Sequence, residues 1–275
     1  MEPSLLRAVI FTDIDWTMMG PGEDLSGVCS VMEKARSLGV PVVPVTAKSI
    51  YEIVALAPKA CIPMESLVAI SESGGAVYAS PGILSRPSGS KKVLGYTLEY
   101  IELGRPIPLF RGTIAREASR LGCEIHLLSQ AGESMAAAMT GLSPGSARLA
   151  SMREYLEVIW SPSQECLDAL ASVLGSMGFY VHRSARLLHV GVHGGKLAAV
   201  ARLEEEPLFR GLYTIGLGDS DADRDYLERV DTAVLVPGPS MRARTRLMRS
   251  DYMVAPYPAP MGWCYMVDQL LLGLA

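Results

Sequence analysis

The chain has 275 residues, 49% of them apolar and 20% charged, enough for one large domain or two modest ones with buried cores. A net charge of −4 with no polybasic run leaves no footprint for nucleic acid or an anionic membrane. The five cysteines (Cys29, Cys61, Cys123, Cys166 and Cys264) never form CxxC, which argues against a structural zinc site and predicts free thiols in a reducing, cytoplasmic compartment.

In chain order, residues 8–12 read as a short buried strand. Ser26 is expected to cap a helix that carries Val28, Val31, Met32, Ala35 and Leu38 on one face and closes at Gly39. A strand over 40–46 follows, weakened by its prolines, then a short helix over 49–56. "LVAIS" is a third strand, and "GGAVYAS" turns back from it as a hairpin. "SPGILSRPSGSKK" reads as a boundary loop. Beyond it come a strand over 96–103, a helix over 109–121, a loop-rich stretch over 140–145, the strand "YLEVIW", and a helix over 164–177. A strand pair over 179–183 and 187–192 completes this part. The opening rhythm then returns: a helix over 196–203, the strand "LYTIGLGDSD", and the strand "TAVLVPG" with a helix on each side. One more helix closes the chain. No basic leader precedes an apolar run, so export by signal peptide is not expected. The run "MVDQLLLGLA" is broken by Asp268 and Gln269 and is too short to span a bilayer.

This order implies an α/β protein: a doubly wound parallel-sheet core, residues 1–80 and 193–275, with an inserted α+β cap over 81–192. Ligands are expected at the carboxyl ends of the parallel strands. The sequence contains no asparagine and little glutamine, a depletion of heat-labile amides that points to a hot-environment source.

Two acidic clusters each follow a buried strand. One is Asp13 with Asp15, and the other is Asp219 with Asp221, Asp223 and Asp225. A solvated strand end would explain "DID" alone, but two clusters on one sheet edge supply the hard oxygen ligands of Mg²⁺. Rival motifs fail on spacing. In "DSDADRD" the sixth position of a calcium loop is Arg224 and the twelfth is Val230. "GVHGGKL" places only three residues between Gly191 and Gly195, too few for a phosphate loop. In "GLGDSD", Asp221 replaces the third glycine of a dinucleotide fingerprint. The four histidines show no HExxH spacing. Paired aspartates with a metal suit phosphoryl transfer, in which Asp13 attacks phosphorus and Asp15, on the same strand face, handles the proton. Thr46 would donate to a phosphoryl oxygen, and Lys196 would balance transition-state charge.

The series Asp13-Ile-Asp15-Trp-Thr17, Thr46, Lys196 and Gly218-Asp219-Ser220-Asp221-Ala222-Asp223 resembles the four motifs of the haloacid dehalogenase (HAD) superfamily. "ISESGGAVY", "MTGLSPGSARLASMREYLEVIW" and "SARLLHVGVHGGKLAAV" are similar to segments of the mannosyl-3-phosphoglycerate phosphatases within it. The resemblance implies a Mg²⁺-dependent phosphatase acting through an aspartyl-phosphate. It makes Asp13 the nucleophile and a metal ligand, and Asp15 the acid/base, which lends its backbone carbonyl to the metal. Asp219 becomes a direct ligand with Asp223 in support, and Thr46 and Lys48 match the second motif. Arg153 and Arg186 would hold a glycerate carboxylate. The implied partner is a small phosphorylated sugar or glycerate, with no nucleic acid and no membrane; oligomeric state is not encoded legibly. Three departures stand out: Trp16 replaces a small residue or lysine, Ser73 stands for an asparagine, and Lys196 needs a one-residue adjustment. A HAD sugar phosphatase or phosphomutase of other specificity, and a non-catalytic HAD-like binding module, remain alternatives.

Overall fold

A computed structural model describes residues 8–184, 186–238 and 251–274. Strand β1 (Ala8–Thr12) is buried along its whole length, as befits a strand covered on both faces. Helix α1 (Val28–Ser37) turns Val28, Val31, Met32 and Ala35 inward. Ser26 is not its cap. The Ser26 amide and hydroxyl both donate to Asp24 Oδ1, at 2.9 and 2.5 Å, and Gly27 at φ +82° starts the helix instead. Strand β2 (Val42–Pro44) is shorter than expected, since Pro41 and Pro44 lack the N–H that a ladder uses. Helix α2 (Ile50–Leu56) opens with a capping box in which Ser49 and Glu52 satisfy each other's backbone amides.

Strands β3 (Val68–Ser71) and β4 (Ala76–Ala79) form the expected hairpin. Strands β5 (Gly89–Val93) and β6 (Tyr96–Glu102) form another, and β6 pairs with β4. The supposed boundary loop therefore contains a strand. Helix α3 (Arg111–Arg120) and strand β7 (His126–Leu127) lead to helices α4 (Glu133–Thr140) and α5 (Pro144–Ser151). The Gly, Ser and Pro residues read as a loop are here helix ends: Gly141 closes α4 at φ +74°, Ser143 caps α5, and Pro144 is its first residue. Strand β8 (Leu156–Trp160), helix α6 (Gln164–Ser176) and strands β9 (Tyr180–Arg183) and β10 (Leu188–Gly191) follow as expected. The chain continues through α7 (Gly195–Glu204), β11 (Tyr213–Gly218), α8 (Arg224–Leu227), β12 (Thr232–Leu235), β13 (Met253–Val254) and α9 (Met261–Leu274). The helix expected after β12 falls on residues 239–250, outside the described residues.

Among the described residues, β13-β12-β11-β1-β2 form a parallel sheet. Side chains alternate across it. Ile10 joins a core built with α1, α2 and α9, while Val9 and Phe11 join one built with α7 and α8. The antiparallel sheet β3-β4-β6-β5 adjoins β2 through a parallel bridge between Val45 and Ile70. The third sheet, β7-β8-β10-β9, carries α3 and α6 on one face and α4 and α5 on the other.

The expectation of free thiols fails. Cys29 is bridged to Cys61 and Cys123 to Cys166, leaving Cys264 unbridged among the described residues. Separations of 32 and 43 residues hide these pairs in the sequence. The second pair meets only because α3 packs against α6. No described helix is long and apolar enough to cross a membrane.

Candidate active site

The chain runs from β1 outward to β2 and, on the other side, from β11 outward to β12 and β13. The order thus reverses between β1 and β11, where a doubly wound sheet leaves a crevice beyond its carboxyl ends. Asp13 and Asp219 are the residues that follow these two strands. The Asp13 amide donates to Leu217 O at 2.9 Å, which fixes one strand end against the other. Helix α7 delivers Lys196 into the same crevice. Its Nζ lies 2.7 Å from Asp13 Oδ1 and 2.5 Å from Asp223 Oδ1, and all three side chains are buried. Asp223 Oδ2 accepts from the amides of Asp219 and Ser220 and from the Ser220 hydroxyl, so this carboxylate organises the loop that bears Asp219.

Asp15 is differently placed. β1 ends at Thr12, so Asp13 and Asp15 do not share a strand face as their spacing predicts; Asp15 stands in the following turn with its side chain 47% exposed. Lys48 Nζ pairs with it at 3.0 Å and lies 3.7 Å from Glu52. The sequence therefore brings two lysine–carboxylate groups to one sheet edge, one sealed and one open. Thr46 is buried beside them, its hydroxyl accepting from the Lys48 amide at 3.2 Å.

Burial sets the electrostatics. It pushes Asp13 up to about 7, helped by Asp223 and Asp15 and opposed by Lys196. It likewise pushes Asp219 up to about 8, with Asp223 and Asp13 adding to the effect. Burial alone would lower Lys196, but Asp13 and Asp223 outweigh it and hold the ammonium charged. Lys48 is raised for the same reason, against burial, by Asp15 and Glu52. One lysine does not neutralise the sealed group: Asp13, Asp219 and Asp223 each offer an oxygen within 4.8 Å of the others. Their hard oxygen donors and excess negative charge fit a divalent cation such as Mg²⁺. Gly238 adds to the fit, since a Cβ there would stand 2.4 Å from Asp219 Oδ2. The Asp15 carboxylate lies outside this group.

The two arginines expected to bind substrate are not brought to the sealed group. Arg153 is buried, donating to Ala150 O and Leu156 O at 2.8 and 2.9 Å, with Glu52 at 3.7 Å. Even so, it lines a cavity of about 770 Å³ together with Lys48, Asp15 and Trp16. Arg186 is exposed between β9 and β10 and does not line that cavity.

Sequence reasoning assigned no role to Glu72, although its turn was one of the resembling segments. Glu72 is buried and accepts from the amides of Glu154, Tyr155 and Leu156. Its own amide donates to Lys48 O, and that of Ser73 to Thr46 O. Glu72, Ser73 and Gly74 have φ of +51°, +55° and +100°. A Cβ at residue 74 would meet Gly195 O at 2.2 Å, so this turn seats the start of α7. Trp263 was also missed: its Nε1 donates to Thr12 Oγ1 at 2.9 Å, directly beneath Asp13. A distant aromatic in a C-terminal helix carries no local signal of such a contact.

No family model matches the chain. It is 40% identical over 274 residues to a mannosyl-3-phosphoglycerate phosphatase of Aeropyrum pernix, covering 98% of this chain and 96% of that one. It is 26% identical to a glucosyl-3-phosphoglycerate/mannosyl-3-phosphoglycerate phosphatase of Persephonella marina, covering 93% and 94% of the two chains. A crystal structure of a haloacid dehalogenase-like hydrolase from Bacteroides thetaiotaomicron superposes with a TM-score of 0.66 at 16% identity, covering 95% and 98%.

Proposed function

We propose, from the premise that this chain belongs to the mannosyl-3-phosphoglycerate phosphatase family of the HAD superfamily, that it hydrolyses mannosyl-3-phosphoglycerate to mannosylglycerate and phosphate. It is a phosphatase, as its relatives are named. The observation that carries the mechanism is the buried Lys196 between Asp13 and Asp223, beside Asp219, at the reversal of the parallel sheet.

In this reading Asp13 attacks phosphorus, the bond to the leaving oxygen breaks, and Asp15 supplies the proton that the leaving alkoxide takes up. The exposed side of Asp15 gives it access to both the leaving group and water. Water then attacks the aspartyl-phosphate, Asp15 recovers a proton from it, and Asp13 is released as a carboxylate. Lys196 keeps Asp13 oriented, and Thr46 donates to a phosphoryl oxygen. Mg²⁺, held by Asp13, Asp219 and the Asp15 carbonyl with Asp223 in support, would offset the repulsion between carboxylate and phosphate. Lys48 and Arg153, which line the cavity beyond Asp15, are assigned to the glycerate carboxylate. Arg186 would join them only if the cap moves.

The division into core (1–80 and 193–275) and cap (81–192) belongs to the same proposal. The pairing of β6 with β4 favours a seam closer to residues 103–104. Absent asparagine and two disulfides fit a cytoplasmic protein of a hot-environment organism, a setting in which intracellular bridges are common.

The test is phosphate release from mannosyl-3-phosphoglycerate, its glucosyl analogue and simple hexose phosphates, with Mg²⁺ or with EDTA. We expect preference for the glycosyl-3-phosphoglycerates, loss of turnover in EDTA with recovery on adding Mg²⁺, and no turnover by Asp13→Asn. Turnover by that variant would refute the nucleophile assignment. Equal rates on hexose phosphates would broaden the substrate class.

A further inference from the structure

Trp16 directly follows Asp15, the proposed acid/base, and has φ +62°, a conformation that bulky L residues avoid. It is held there by its amide, which donates to Met19 O at 2.8 Å, and by the bridge between Asp15 and Met19. A glycine would adopt this turn without strain, so packing and local geometry do not call for an indole. Nor is the ring part of a core. It stays 42% exposed, whereas Ile14, Met18 and Met19 on either side are buried. What the indole does face is the 770 Å³ cavity between the sheet edge and the β8–β10 layer.

The rest of that cavity wall is mixed, with Met19, Leu128, Leu142, Val158 and Leu187 alongside polar groups. Thr140, Ser143, Ser184 and His189 line it from the cap side. His189 Nδ1 is buried and has no hydrogen-bond partner among the described residues, an arrangement that costs free energy unless a ligand supplies the partner. An exposed ring beside further apolar lining, with one unfilled hydrogen-bonding position at His189, matches an amphipathic guest. A pyranose is such a guest: its axial C–H groups present an apolar face, and its hydroxyls radiate from the edge.

We infer that Trp16 and His189 form the hexose subsite, the indole packing on the sugar's C–H face and His189 Nδ1 bonding a sugar hydroxyl. The two are specificity-determining residues. This rests on the substrate reading above, and it adds which groups discriminate a glycosylated phosphoglycerate from the bare one.

The matched pair is mannosyl-3-phosphoglycerate and 3-phosphoglycerate, which differ only by the sugar. The quantity to follow is the ratio of their kcat/KM values in wild type, Trp16→Gly, Trp16→Phe and His189→Phe. Trp16→Gly and His189→Phe should each lower the ratio at least tenfold, mainly through KM for the glycosylated ester. Trp16→Phe, which keeps a smaller ring and the same backbone restriction, should lower it less than Trp16→Gly. Titration with mannosylglycerate should also change indole emission, and the change should disappear in Trp16→Phe, where Trp160 and Trp263 remain. A high wild-type ratio retained by Trp16→Gly and His189→Phe would overturn the subsite while leaving the substrate reading intact. A parallel fall with both esters would do the same and reduce Trp16 to a loop-shaping role. A wild-type ratio near one would overturn the substrate reading and the subsite with it.

Discussion

Two largely buried histidines, of which His189 lines the cavity, give the protein a measurable response to acid. Burial, reinforced by His182, Arg153 and Lys196, pushes His189 down to about 3, and burial pushes His193 down to about 4. In the unfolded chain both titrate near their ordinary value of about 6.5. Above that pH neither state binds the proton, and no penalty exists. Below it, the unfolded chain takes up a proton that the folded chain refuses, so stability falls as pH falls, until the folded pKa is reached. Each histidine contributes a slope of about 1.4 kcal/mol per pH unit across that window. The raised Asp13 and Asp219 carboxylates act in the opposite sense, since the folded protein binds their protons first as pH drops. The informative measurement is therefore a difference: denaturant unfolding of wild type and His189→Phe at pH 6 and pH 4.5. Wild type should lose about 1–2 kcal/mol more than the variant over that interval. Equal losses would mean that His189 protonates freely in the folded state.

Between residue and fold stands the Glu72–Gly74 turn, through which three elements are held in register. It hangs from the 46–48 loop by two backbone hydrogen bonds, grips the start of β8 through Glu72, and presses against the first residue of α7. Gly74→Ala would need both a left-handed backbone and a displaced Gly195 carbonyl, and Lys196 is the next residue. Steady-state phosphate release should fall at least tenfold, and the unfolding midpoint should fall with it. Full activity in that variant would show that α7 is seated by other contacts. Elements of this kind mark where sequence reading succeeds and where it stops. Strands β1 and β11 were legible because each is a short apolar run followed by an aspartate, whereas β13, two residues long, was not; α2 starts at the capping box of Ser49 and Glu52. Asp13, Lys196, Asp219 and Asp223 could be grouped because the parallel order puts their strand and helix ends on one edge. The α4–α5 pair was not legible, since Gly141, Ser143 and Pro144 serve equally as loop or cap residues. Strand β5 was hidden by its lysines, which belong to a half-exposed strand. The anchoring of Arg153 to the Ala150 and Leu156 carbonyls was not legible either, since it exists only once α5 and β8 meet.

At the scale of the whole molecule, the disulfides divide the labour between stability and motion. The Cys29–Cys61 bridge ties α1 to the segment after α2, both on one face of the parallel sheet. The Cys123–Cys166 bridge ties the end of α3 to α6, both on the outer face of the β7-β8-β10-β9 sheet. Neither bridge links the two layers. The contacts that do link them near the cavity are non-covalent: Ser49 Oγ to Leu149 O, Ser146 Oγ to Glu23, and Glu72 to the 154–156 amides. Closing chain loops of 32 and 43 residues restricts the unfolded ensemble and is worth about 2–4 kcal/mol per bridge. Reduction should therefore lower the unfolding midpoint while leaving kcat and KM at moderate temperature within about twofold. The Cys29→Ser/Cys61→Ser and Cys123→Ser/Cys166→Ser double variants should each reproduce part of that loss, and together nearly all of it, because the sites are separate and share no partner. A change in KM on reduction, with the fold intact by circular dichroism, would instead assign the bridges a part in positioning the cap. The topology argues otherwise, since each bridge closes inside one layer and leaves the seam free to open for substrate.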